Sequence, residues 1–296
     1  MNWFNHVGRF LHKPWPEKGT IVRFYLKRFG YSLLLSVPLP LRLPYGGWWL
    51  ARNDACSAAI FAEVFEESER HFVEQFLREG MTVLDIGAHH GFYTILASKK
   101  VGPSGHVIAF EPSPRERRRL LLHLKLNHCT NVKVEPLALA SQEGETTFFL
   151  VNGRETGCNS LRPPAVSEPT KAIAVSTKTL DGYLENESIH HVDFIKMDVE
   201  GAELEVLKGA RQLLARSPKP VIMAEVEDIR TAPWGYAASS IYDFLADRGY
   251  RWFFITQGVL RPCPRIEQYD ANLVAVPEGG LSQVSGLIER MGRDDG

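Results

Sequence analysis

Two acids and two glycines at fixed spacing carry the clearest chemical signal in this sequence. Val83-Leu84-Asp85-Ile86 is an apolar run holding one acid, and Gly87 and Gly91 punctuate the turn that follows. A missing Cβ lets a ligand approach the backbone, and the helix opening at this turn offers unpaired N–H groups to it. A second acid, Glu111, closes the next apolar run, His106-Val107-Ile108-Ala109-Phe110, 20 residues after Gly91.

The acids separate the ligands that such a turn can serve. A pyrophosphate requires a glycine-lined cradle without a carboxylate pointing into it, and its dinucleotide fingerprint is G-x-G-x-x-G. Here only Gly87-x-x-x-Gly91 is present, and the middle glycine is missing. S-Adenosylmethionine is positively charged at its sulfonium and amino group, so a carboxylate at Asp85, acting directly or through water, suits that end. Glu111 stands where an acid accepts both ribose hydroxyls in nucleotide-binding βαβ units. The combination points to S-adenosylmethionine. A nicotinamide-dependent oxidoreductase and a ligand-free βαβ turn with two solvated acids are the competing readings.

Asp198 and Glu225 also end apolar runs. An open α/β sheet would therefore gather four carboxylates beyond the carboxyl ends of its strands, where ligands bind. Methyl transfer from a sulfonium is an in-line displacement that needs alignment and removal of the acceptor's proton. Asp198 is the first candidate for that base, with Glu225 and His90 behind it. Glu200 is placed to orient a hydroxyl or the base, and equally to favour a helix N-terminus. Crowding should raise at least one of these carboxyl groups toward neutrality. Carboxylate oxygens also suit Mg²⁺, but no dedicated ligand cage is visible and no metal is expected.

The elements that must hold these residues alternate as strand and helix from Thr82 onward, which predicts a doubly wound α/β sheet. A helix over 66–78 puts Phe72, Val73, Phe76 and Leu77 on one face. Strands are predicted at 82–86, 106–110, 132–136, 193–197 and 221–226, with a further extended run at 146–151. Helices are expected at 114–127, 201–214 and 240–248, and closing strands at 252–255 and 273–276. The basic run Arg115, Arg117, Arg118 and Arg119 reads as a solvated helix face. Residues 152–169 are rich in Gly, Asn, Ser and Pro, and a loop this long is functional or disordered.

Three motifs in order, 83–94, 107–112 and 193–203, resemble the FkbM family of S-adenosylmethionine-dependent methyltransferases; Thr179-Leu180-Asp181 and the closing Asn272 to Pro277 extend the likeness over roughly 63–277. One departure is His89, where the family usually shows Asn. The resemblance implies a mostly parallel seven-stranded sheet with helices on both faces, the class I methyltransferase fold. It implies a cofactor site of Asp85, Gly87, Ala88, His89, Gly91, Glu111, Pro112 and Ala138. It also implies, as acceptor, a hydroxyl on a sugar, glycoconjugate or polyketide-like small molecule, with the loop at 152–169 over the site. Amino-group methylases of bases carry Asn/Asp-Pro-Pro-aromatic where this chain has Asp198-Val199-Glu200-Gly201, which favours oxygen. A non-catalytic module that binds the cofactor is the remaining alternative.

Composition bounds the rest. The chain has 296 residues, with 34 Lys and Arg against 35 Asp and Glu, a net charge of −1. That balance disfavours nucleic acid as a partner. Cys56, Cys129, Cys158 and Cys263 are scattered and read as reduced thiols, so a cytoplasmic location is expected. No apolar run reaches the roughly 18 residues of a membrane-spanning helix. Residues 1–30 hold six Lys or Arg against one Glu, a net of +5, among several aromatics. Residues 1–44 therefore suit weak contact with an anionic membrane surface, or an extension packed on the core. The expected division is an extension over 1–62, the methyltransferase domain over 63–277 and a tail over 278–296.

Overall fold

The strands β3 (Thr82–Ile86), β4 (His106–Phe110) and β9 (Phe194–Met197) consist almost wholly of buried residues. Strands apolar on both faces need cover on both, which is the condition of a parallel sheet flanked by helices. A computed structural model describes residues 38–289 and shows that arrangement. With β5 (Val132–Glu135), β10 (Val221–Glu227), β11 (Tyr250–Thr256), β12 (Val259–Pro262) and β13 (Asp270–Pro277), these strands form one sheet in the order β12-β11-β13-β10-β9-β3-β4-β5. The five from β10 to β5 run parallel. β13 is antiparallel to both β10 and β11, so β11 runs with the parallel set again.

Side-chain alternation divides the core between the two faces. Val83, Val107, Phe194 and Met223 pack on one face beneath α1 (Ala55–Phe61), α2 (Glu67–Phe76), α3 (Phe92–Val101) and α4 (Pro114–Leu126). Leu84, Ile108, Ile195 and Ala224 pack on the other beneath α5 (Leu180–Asn186), α6 (Glu203–Lys208), α7 (Arg211–Ala215) and α9 (Ser239–Ala246). Asp85, Lys196, Asp198 and Glu225 have the parity of the first face. The sheet's period of two therefore aims all four at the same side.

The sheet has eight strands where seven were predicted. The extra one, β12, returns from β11 through Gln257 and Gly258, both at positive φ (51° and 78°). Two such residues make the tight hairpin turn whose twist matches its strands. The helix predicted over 201–214 is two helices, broken at Gly209, where a Cβ would come within 2.3 Å of the Ala140 carbonyl oxygen. The 152–169 segment is tied down. Ser160 bridges to Phe149, and the Glu168 carboxylate accepts from the N–H groups of Arg154 and Glu155 at 2.8 and 2.9 Å. It hangs from a small sheet of β6 (Ala138–Leu139), β7 (Gly144–Val151) and β8 (Thr170–Lys178), of which only part of β7 was anticipated.

Of the basic run on α4, Arg118 is exposed as expected, but the other three are engaged. Arg115 reaches the Val151 carbonyl at 2.9 Å, Arg117 the Glu111 carbonyl at 3.0 Å and Arg119 the Asp54 carboxylate at 2.8 Å. Ahead of the expected boundary at 62, β1 (Leu39–Arg42) and β2 (Trp48–Ala51) lead into α1, and Leu43, Trp49, Ala51 and Ala58 lie in the first-face core. Trp49 is fully buried, stacks on His123 at 4.1 Å between ring centres and donates Nε1–H to the Ser57 hydroxyl at 3.1 Å. Residues 1–37 and 290–296, and with them most of the predicted membrane-contacting arm, lie outside the described residues. Among the described residues no helix is long and apolar enough to cross a membrane, and all four cysteines are unbridged.

Trp49→Ala should destabilise the fold by about 3–5 kcal/mol, the usual cost of emptying a buried tryptophan site. Chemical denaturation measures this; a loss below about 1 kcal/mol would show that residues 38–62 are not part of the cooperative core.

Candidate active site

The turn after β3 is shaped by contacts that only glycine allows. Gly87 has φ 85°, and a Cβ there would lie 1.8 Å from the Asp198 carbonyl oxygen. The N–H groups of Gly87 and Ala88 both donate to the Phe110 carbonyl at 3.1 Å, which draws the ends of β3, β4 and β9 together. Gly91 has φ 92° and a Cβ there would meet Leu120 at 2.4 Å. It thus seats α3 against α4 and lines neither cavity described below.

Two cavities open at this rim and share Gly87, His89, Gly157 and Asp198. The smaller, about 50 Å³, is walled by Phe110, Glu111, Pro112, Leu137, Ala138 and Leu139, with Phe148 and Leu161 closing it. Glu111 is buried; one oxygen accepts the His89 N–H at 2.8 Å and the other the Ser113 N–H at 2.8 Å. Burial outweighs these bonds and pushes its carboxyl up to about 8. The lining is largely apolar, with Glu111 and Asp198 as its acids.

The larger cavity, about 390 Å³, is lined by the aromatics Trp49, Phe65, Phe92 and Tyr93 and by the acids Glu66, Asp85, Glu155, Asp198, Glu200 and Glu225. Asp85 and Lys196 are paired across β3 and β9. Asp85 is sealed, at 1 % exposure; one oxygen accepts from the Thr94 hydroxyl at 2.5 Å and the other has no hydrogen-bond partner among the described residues. Burial raises its pKa, against the pull of Lys196. The Lys196 ammonium contacts the Asp198 carboxylate at 2.7 Å and lies 5.3 Å from the centre of the Tyr93 ring. Burial pulls this ammonium down, but Asp198, Asp85 and Glu66 together hold it above its ordinary value, so it stays charged.

Beyond Asp198 the chain turns sharply through Glu200 (φ 55°) and Gly201 (φ 96°), because a Cβ at 201 would strike the Arg230 carbonyl at 2.1 Å. Arg230, on α8 (Asp228–Thr231), sets its Nε 3.0 Å from Glu200, 3.4 Å from Glu227 and 4.0 Å from Glu225. Burial raises the Glu200 and Glu225 carboxyls well above the usual range, reinforced by neighbouring acids. Arg230 only partly offsets this at Glu200.

His90 has no solvent exposure, and its Nε2 lies 2.8 Å from Glu116 and 3.2 Å from Arg119. Burial and then Arg119 hold it well below its ordinary pKa, so it is neutral, and its Nδ1 has no hydrogen-bond partner among the described residues. His89 stacks on it at 3.5 Å and meets the Thr156 hydroxyl at 3.1 Å.

Among the described residues two groups bring ligand-type atoms within 4.8 Å of one another, His89–His90–Glu116 and Asp198–Glu200–Glu225. Each already has a guanidinium beside it, Arg119 in the first and Arg230 in the second, supplying the positive charge a metal would bring.

The fold thus brings Asp85, Gly87, Ala88, His89, His90, Asp198, Glu200 and Glu225 onto the larger cavity, and Glu111, Pro112 and Ala138 onto the smaller. Sequence reasoning missed Glu66, Tyr93, Lys196 and Arg230. Lys196 did leave a signal: a lysine inside an apolar strand two residues before an acid has to be buried and paired. Glu66 and Arg230 left none.

The methyltransferase FkbM domain model matches residues 85–252, more than half of the chain. The chain is 27 % identical over 218 residues to the 31-O-demethyl-FK506 methyltransferase FkbM of Streptomyces tacrolimicus, covering 64 % of this chain and 82 % of that one. It is 25 % identical to the 2-O-methyltransferase NoeI of Sinorhizobium fredii, over 50 % of this chain and 65 % of that one. It is 24 % identical to the AMB antimetabolite synthetase AmbE of Pseudomonas aeruginosa over 72 % of this chain, but spans only 11 % of that protein. A solved FkbM methyltransferase from Methylobacillus flagellatus aligns over 86 % of this chain and 58 % of that one, with a TM-score of 0.42 and 16 % identity.

The raised carboxyls fix a pH dependence. Glu66, Glu111 and Glu203 ionise near 7, 8 and 7 in the fold, against about 4.3 in an unfolded chain. Between those values the folded state holds protons the unfolded chain has lost, so stability falls as pH rises. Histidines oppose this only below about pH 6.5, where unfolded histidine is charged. The urea midpoint should therefore drop between about pH 6.5 and 8.5, and Glu111→Gln should flatten the drop. An unchanged slope in that variant would contradict the assignment.

Proposed function

The chain belongs to the FkbM methyltransferase family, and from that premise we propose that it is an S-adenosylmethionine-dependent O-methyltransferase acting on a hydroxyl of a sugar, glycoconjugate or polyketide-like small molecule. The observation that carries this reading is the junction at Gly87 and Asp198. A largely apolar slot holding Glu111 meets there a larger chamber lined by both aromatic and acidic side chains. A chamber in which, among the described residues, carboxylates outnumber cations fits a cationic nucleoside. When bound, the cofactor supplies an electrophilic methyl group.

In this reading Glu111, Pro112 and Ala138 hold the nucleoside half, while Gly87, Ala88 and His89 admit the backbone-close remainder past Asp198. Oxygen as the acceptor atom is supported by two relatives whose names specify O-methylation. Sugars and polyhydroxylated rings present an apolar face and a hydroxyl edge. Trp49, Phe65 and Phe92 suit the former, and the carboxylates accept hydrogen bonds from the latter. Asp198 is the base: it alone among the acids of the larger cavity also lines the smaller one. Lys196 contacts its carboxylate at 2.7 Å and fixes its orientation. Glu200 and Glu225, crowded against it, hold the acceptor's other hydroxyls. Arg230 limits the repulsion among them.

A radiolabelled methyl-transfer screen over carbohydrate and small-molecule fractions should label an oxygen-linked product. With that acceptor, Asp198→Asn should lower transfer by about 10²- to 10⁴-fold, the usual worth of a general base, while S-adenosylhomocysteine still binds. Full transfer by Asp198→Asn would remove Asp198 from the role of base.

A further inference from the structure

Glu66 comes from a part of the chain ahead of the family's matched region, yet it lines the larger cavity together with Asp85, Gly87, Ala88 and Lys196, and its carboxyl feels the Lys196 ammonium. Gly87 lines both cavities, so a ligand leaving the nucleoside slot past Gly87 enters this chamber. Of the charged groups there, two are already committed. Lys196 is held by Asp198 at 2.7 Å, and Asp85 is closed off beneath the Thr94 hydroxyl at 1 % exposure. Glu66 is not. It accepts one hydrogen bond, from the Tyr93 hydroxyl at 2.7 Å, and no other among the described residues.

The backbone at this position is also unusual. Glu66 begins α2 in the left-handed conformation, φ 41° and ψ 50°, and its side chain does not cap the helix it precedes. A non-glycine residue held in that conformation is strained, and such strain is concentrated where a side chain is needed in one place. Around Lys196 three carboxylates, Glu66, Asp85 and Asp198, face a single ammonium. Among the described residues the inner chamber is short of positive charge.

We infer that Glu66 binds the amino-acid end of S-adenosylmethionine, its carboxylate receiving the α-ammonium group. This rests on the cofactor reading above and gives the amino-acid end a partner more accessible than Asp85. Glu66 acts by charge-assisted hydrogen bonding, and the Tyr93 hydroxyl fixes the carboxylate's orientation.

Proton linkage follows. Burial pushes the Glu66 carboxyl up to about 7 before a ligand arrives, with Lys196 opposing and Asp198 and Glu69 reinforcing the rise. The groups facing it are Tyr93 on α3, Lys196 and Asp198 at the end of β9, Glu69 on α2, Cys56 on α1 and Asp85 on β3. An ammonium favours the ionised carboxylate, so ligand binding displaces its proton and affinity rises as pH climbs through 7.

Calorimetry on the full chain tests this with two probes, S-adenosylhomocysteine, which has the amino-acid end, and 5′-methylthioadenosine, which lacks it. Glu66→Gln should weaken S-adenosylhomocysteine about 10- to 100-fold at pH 8 and leave 5′-methylthioadenosine within about threefold of wild type. The rise in S-adenosylhomocysteine affinity between pH 6 and 8 should shrink in the variant. Unchanged S-adenosylhomocysteine affinity overturns the inference, and so does equal weakening of both probes, which marks a structural role. Wild-type protein that fails to bind S-adenosylhomocysteine sinks the cofactor reading, and this inference with it.

Discussion

Burying carboxylates without enough cations to match them is the constraint on which the active end of this molecule depends. Glu66, Asp85, Asp198, Glu200 and Glu225 line one chamber in which, among the described residues, Lys196 and Arg230 are the Lys and Arg side chains present. An unpaired buried charge costs several kcal/mol, so such groups either find a cation or take up a proton. Both responses are visible here. Lys196 and Arg230 are each surrounded by acids, and the remaining carboxyls are pushed upward in pKa. In the proposed reading, a positively charged ligand offsets this repulsion, and the same crowding that costs stability then favours a cation in binding.

Sheet geometry creates this constraint. Asp85, Lys196, Asp198 and Glu225 stand on neighbouring strands at positions of one parity, so the pleat delivers them to the same face. Gly87 then lets the Asp198 backbone approach to a distance no other residue would permit. Helix α4 braces the rim. Arg117 holds the carbonyl of Glu111, Glu116 meets His90, and His123 donates to the His90 carbonyl at 2.8 Å while accepting the Leu50 N–H at 3.1 Å. One helix thus couples the cofactor turn to the hairpin that carries Trp49.

Much of this was legible in the sequence, for physical reasons. Apolar runs ending in Asp85, Glu111, Asp198 and Glu225 announced strands whose ends meet; glycine at 87 announced room for a ligand, and it is the Asp198 backbone that takes that room. What could not be read was contributed by contacts distant along the chain. The run of arginines on α4 looked like a solvated face because Asp54 and the Val151 carbonyl, partners of Arg119 and Arg115, come from elsewhere in the chain. Glu66 looked like an ordinary first-turn acid, since nothing local discloses that its backbone is left-handed or that Tyr93 lies across from it. Strand β8 went unseen because its alternation follows directly on the proline-rich loop. The break at Gly209 depends on Ala140, about 70 residues away in sequence, a contact no helical periodicity encodes.

The chamber's charge is also what separates a sulfonium nucleoside from a dinucleotide. A diphosphate brought to this rim would place negative charge against carboxylates already crowded together. Calorimetric titration of the wild-type chain with S-adenosylmethionine and with NAD, side by side near pH 8, addresses this most directly. Saturable binding of S-adenosylmethionine with no detectable uptake of NAD is the predicted result. Binding of NAD without S-adenosylmethionine would contradict the electrostatic account of the site.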